Sequence, residues 1–162
     1  MPATTLSRTA VETYATNVVR ELNLGRCALT GAAAPKGVGN WCHRAAEGRG
    51  GPKIPSNGLW LHASVHAATH SAAALSRACG WMVDTPGNST RWTLDQWGAY
   101  LRRIPVLCQC QGISAWWSLD DSGDGVARLA EDAEVEAAGL DPARTLPEAL
   151  AELERVTGWR AA

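Results

Sequence analysis

Phenylalanine is absent from the 162 residues, and only two lysines occur. Eight tryptophans and two tyrosines supply all the aromatic content, a skew that speaks to ancestry more than to chemistry. Scarce lysine beside abundant Ala, Gly and Arg points to a GC-rich genome. No apolar run approaches the ~18 residues that a membrane span needs. No basic-then-apolar leader opens the chain. The expectation is a soluble, cytoplasmic protein with no membrane partner. There is no internal repeat. The five cysteines, at 27, 42, 79, 108 and 110, are odd in number and do not read as a secreted disulfide framework. Most read as small core residues.

What is present suffices for a core. Apolar residues make up 46% and charged ones 19%, the balance of one folded domain of ordinary size. The net charge of −1 conceals a division along the chain. Residues 1–118 hold eleven Lys/Arg against five Asp/Glu, and residues 119–162 hold four against eleven. A +6 body followed by a −7 tail is a different object from a neutral protein.

Leu6, Ala10, Tyr14, Val18 and Leu22 recur every four residues and predict an amphipathic helix over 4–23, ended by Gly25. The Gly- and Pro-rich stretch from Gly31 to Gly58 predicts a long irregular loop, of a kind that is usually disordered or functional. Leu59-Trp60-Leu61 predicts a short strand. Ser64 is a candidate cap for a helix to Cys79, halted by Gly80. Thr93 and Gln96 form a capping-box pattern for a helix to Arg103. Residues 106–111 and 113–119 predict a hairpin through Gly112. On that hairpin Trp116 and Trp117 alternate, which predicts that one is exposed. Asp120 to Gly125 reads as a polar turn, because a calcium loop lacks its closing Glu here. Acidic helices are predicted over 126–138 and 146–157, the second capped by Thr145 and Glu148.

All four histidines, His43, His62, His66 and His70, fall between positions 43 and 70. His66 and His70 are one helical turn apart, so their rings share a face and can bind one ion. Cys42 would add a third ligand, leaving the open position that hydrolytic metal sites use. Cys42-His43-Arg44, then Asn57 fourteen residues after His43, then His66 and His70, resembles the HNH, or ββα-metal, endonuclease family. The glycines from Gly48 to Gly51 and the run Pro55-Ser56-Asn57-Gly58-Leu59 add to the likeness, which is similar to HNH proteins of phages infecting actinobacteria. The resemblance covers about residues 25–122, with its specific motifs between 42 and 70.

That resemblance implies an α+β fold: a ββα-metal core of short antiparallel strands and a metal-binding helix, flanked by extra helices. It divides the chain into an N-terminal helix (1–24), an HNH-like domain (25–122) and an acidic helical tail (123–162). It implies a metal-dependent DNA endonuclease in which His43 is the general base. Asn57 would fix the loop orienting His43 or contact the metal. Cys42, His66 and His70 would hold one divalent ion, zinc, or magnesium, manganese or nickel in turnover. Arg44 and Arg49 would clamp phosphates, and Trp41 would stack on a base or cover the metal. The expected substrate is double-stranded DNA, cut with weak specificity because no helix-turn-helix or basic-zipper reader is visible. The acidic tail suggests a protein partner, or a shield whose removal would strengthen DNA binding. If phage-encoded, the protein works in the cytoplasm of a bacterial host.

The family's second zinc site would need two Cys-x-x-Cys knuckles. Their slots read Cys27-x-x-Thr30 and His62-x-x-Val65, so that ion is expected to be missing, with Val65 substituting by packing. Cys42 stands where His or Asp is commoner, and a thiolate favours zinc while weakening it as a Lewis acid. A catalytically degenerate HNH domain that binds DNA or protein is therefore the rival reading.

Overall fold

The computed structural model describes residues 7–121 and 126–160. It is a mixed α/β arrangement of six α-helices and two small antiparallel sheets. The polar turn expected at 120–125 lies mostly outside the described residues. No helix among them is long and apolar enough to cross a membrane.

Helix α1 (Arg8–Glu21) starts at Ser7, whose hydroxyl accepts from the Ala10 N–H. Its buried face carries Ala15 and Val19, one position off the predicted stripe, and Tyr14 is 44% exposed. The four-residue spacing was common to both faces, so periodicity alone did not choose between them.

The predicted loop contains a strand. β1 (Gly39–His43) pairs antiparallel with β2 (Gly58–His62), placing Cys42 opposite Leu59 and His43 opposite Gly58. Glycine at 39 and 58 hid this ribbon, yet both are required: a Cβ at either would collide with an indole, Trp60 over Gly39 and Trp41 over Gly58.

The chain passes directly from β2 into α2 (Ala63–Ser71). The cap is His62, whose Nδ1 accepts from the Ser64 N–H, rather than Ser64. The single helix expected to Cys79 breaks at Ala72 (φ −109°, ψ 55°), and α3 (Ala73–Ala78) follows. At the break the Ser76 hydroxyl donates to the carbonyl of Thr69 at 2.6 Å.

Helix α4 (Leu94–Leu101) has the Thr93–Gln96 capping box. Strands β3 (Val106–Cys110) and β4 (Ile113–Leu119) form the hairpin, turning through Gln111 and Gly112, both at positive φ, as a tight two-residue turn requires. β5 (Ala127–Leu129) adds to the far edge of β4, where a helix had been expected. Packing on both sides buries Trp116 and Trp117 alike, at 7% and 5% exposure. The two sheets are tied through Ala28, whose N–H donates to Trp60 and whose carbonyl accepts from the Gln109 N–H.

Helices α5 (Asp132–Ala137) and α6 (Leu146–Thr157) are no appendage. Val135, Leu146, Ala149 and Leu153 are buried in the same cluster as Leu61, Val65 and Trp81. The indole of Trp159 donates to Ser64 Oγ at the start of α2. The acidic segment thus supports the helix that carries His66 and His70. Deleting 126–162 is therefore expected to abolish cooperative thermal unfolding, followed by circular dichroism, rather than to unmask a binding surface. Each large core side chain lost costs about 2–5 kcal/mol, against a total stability of ~5–15 kcal/mol.

Candidate metal centre

Cys42 sits on β1 with its side chain turned inward, 1% exposed. His66 and His70 project from successive turns of α2, the first half-buried and the second exposed. Their Nε2 atoms are 3.0 Å apart. The three ligand atoms all lie within 4.8 Å of one another, a group that could hold a metal ion. Two nitrogens at tetrahedral zinc, each ~2.1 Å from the ion, stand about 3.4 Å apart. The pair is thus close to ligating separation.

The donor set fits such an ion chemically. Burial pushes the Cys42 thiol up to about 12, so its ionisation calls for a cation beside it. Burial lowers the affinity of His66 for a proton, and the neighbouring charges of His70 and His43 lower it further. A neutral imidazole is the form that ligates. The ring contact, 4.8 Å between centroids, would repel if both rings were protonated.

His43 points away from the Cys42 side of the strand, half-buried. It packs edge-on to Trp41, centroids 5.8 Å apart, and forms part of the wall of a cleft of about 610 Å³. Burial depresses its pKa, partly offset by Glu47 and Glu12 and reinforced by Lys53.

Asn57 is fully buried. Its Oδ1 accepts from the Ala45 N–H at 2.6 Å, and its Nδ2 donates to the carbonyls of Ala45 and Pro52. Its own carbonyl accepts from the Arg44 N–H. Both ends of the amide are engaged by the loop immediately after His43. Of the two roles expected for it, these bonds correspond to loop fixation, not metal contact.

Arg44 requires a correction. It is 1% exposed, and its guanidinium donates to the carbonyls of Gly80, Ser56, Ile104 and Pro105. It is an internal brace and cannot reach a phosphate. Arg49 is exposed on a 3-10 turn, Glu47–Arg49. Trp41 is half-buried over Gly58, with Lys53 Nζ 5.4 Å from its ring centroid. It packs edge-on beside His43.

Two contributors had no sequence signal. Asp121 receives the Ser56 N–H and hydroxyl, both at 2.8 Å, and so anchors the turn holding Asn57 from 65 residues away. Trp92, in a polar stretch, lines the cleft near His43. Cys27 and Val65 are buried in the core. No protein-family model, curated protein or solved structure matches the chain.

Proposed function

We propose that the chain is a metal-dependent DNA endonuclease of HNH type, hydrolysing phosphodiester bonds with His43 as general base. The observation that carries this reading is the β1–β2–α2 unit, which gathers Cys42, His66 and His70 within 4.8 Å of one another and turns His43, the next residue of β1, into an adjoining cleft lined by other residues. The three clustered residues would hold one divalent ion; zinc best matches a thiolate with two imidazoles, while magnesium, manganese or nickel are alternatives in turnover. When bound, the ion neutralises charge on the scissile phosphate and leaving oxygen.

The remaining steps belong to the chain itself. His43, whose proton affinity is lowered chiefly by burial, takes a proton from the attacking water at a ring nitrogen. Asn57 and Asp121 hold the 44–57 loop so that this ring keeps its aim. Exposed Arg49 offers a fork to a flanking phosphate. The acidic surface of α5 and α6 suits a protein partner that directs a weakly specific cut. A phage origin and a bacterial cytoplasm remain part of the proposal.

The buried Cys42 favours a second reading, a degenerate HNH domain that binds DNA or protein without cutting. Supercoiled plasmid incubated with the protein and Mg²⁺, Mn²⁺, Ni²⁺ or Zn²⁺ separates them. Nicking with at least one ion is the expected result. No cleavage with any ion, alongside retained binding, would establish the degenerate form.

A further inference from the structure

The cleft beside His43 has a composition that the hydrolytic reading does not use. Trp92 forms part of its wall, Leu94 is 52% exposed at its edge, and Lys53 lines it while making no ion pair among the described residues. Two carboxylates, Glu12 and Glu47, face the same space. The Glu12 charge is partly met by Arg8 at 2.7 Å. Val11, Ile54 and Leu94 continue into a second depression of about 310 Å³ that reaches Tyr14 and Arg102. Tyr14 is 44% exposed there.

An aromatic wall, a lysine with no carboxylate partner among the described residues and a carboxylate such as Glu47 are groups that can hold one base of an opened strand. An indole stacks on any base, a cation meets the phosphate, and a carboxylate accepts from exocyclic amino groups. The volume near His43 lies within the ~300–1,000 Å³ of small-ligand sites. A duplex, whose bases are stacked inward, cannot insert into such a space. We infer that this cleft receives an unpaired nucleobase, so that the preferred ligand is single-stranded or locally opened nucleic acid rather than intact duplex. The inference rests on the endonuclease reading for its placement beside the scissile bond, and on the cleft alone for binding.

The aromatic signal is not carried by Trp97. That indole is 1% exposed and packs edge-on against Trp92 at 5.1 Å between centroids, so it stiffens Trp92 instead of offering a face. Tyr100 contacts Trp92 similarly at 5.3 Å. Trp92 is thereby held in place before any ligand arrives, which limits the entropy lost on stacking.

Fluorescence anisotropy of a labelled ten-nucleotide strand tests this on the full chain, in buffer without added divalent ions. Its comparators are the same sequence as a duplex and an abasic strand of equal charge. The expected result is binding of the base-bearing strand about tenfold tighter than either comparator, as one stacked base supplies. Trp92→Phe should keep that preference and Trp92→Leu should lose it, with duplex binding unchanged. Equal binding of the abasic strand or the duplex would overturn the inference, as would full preference in Trp92→Leu. The wild-type abasic comparison decides the matter even if the leucine variant does not fold. Plasmid nicking is read separately: nicking without base preference removes this inference alone, and base preference without nicking removes the endonuclease reading alone.

Discussion

Replacing His43 by alanine is expected to lower plasmid nicking by about 10²–10⁴-fold, the usual contribution of a positioned general base, while bound metal stays at one ion per chain. The separation follows from the strand. Cys42 and His43 are adjacent, so they project to opposite faces of β1, one among the candidate ligands and the other into the cleft. His70→Ala should do the reverse. It removes an exposed side chain at little cost in stability, but it takes away one of three ligands and should bring metal content close to zero. Metal content by atomic emission and nicking rates on the same two preparations read both effects. Wild-type nicking by His43→Ala would remove His43 as the base. Full metal content in His70→Ala would remove the ligand assignment.

The His66–His70 part of the candidate metal cluster was legible because its spacing is local. Two histidines one helical turn apart share a face in any α-helix, and the capping and hairpin signals at Thr93, Thr145 and Gly112 are equally short-range. Strand β1 was hidden because its neighbours are glycines chosen to admit Trp41 and Trp60, a reason visible only once the indoles are in place. The charge division misled in a different way. It is real along the chain, but burial of Val135, Leu146, Ala149 and Leu153 depends on which faces of α5 and α6 turn inward. Acidic residues on the outer faces said nothing about that. Asp121 and Trp92 act across long separations, and no periodicity reports such contacts. Arg44 was the plainest misreading: an arginine next to a candidate catalytic histidine looks like a phosphate ligand unless four distant carbonyls are known to converge on it.

Those carbonyls make Arg44 the residue whose loss should damage the fold most. Arg44→Met is expected to destabilise the protein by about 3–5 kcal/mol, comparable to breaking a buried charged network. The guanidinium reaches Gly80 after α3, Ser56 in the turn before β2, and Ile104 and Pro105 at the entry to β3. It thereby joins the main core to the smaller cluster of Ala45, Ile54, Val83, Trp97 and Leu101. Among the described residues no carboxylate pairs with it, and burial draws its pKa down to about 10, so carbonyl dipoles compensate the charge at neutral pH. Methionine fills much of the volume but leaves four acceptors without donors, each worth about 1–3 kcal/mol if water cannot reach it. Lysine keeps the charge yet has no planar fork to span carbonyls from three segments, so Arg44→Lys should fall between the two. A melting temperature lowered by about 6–20 °C in Arg44→Met, with a smaller drop in Arg44→Lys, is the expected ranking. Because the brace fixes residue 44 beside His43, both variants should also lose nicking in proportion to the fraction unfolded at the assay temperature. A methionine variant as stable as wild type would mean that solvent enters the brace, and Arg44 would return to the candidates for contact with DNA.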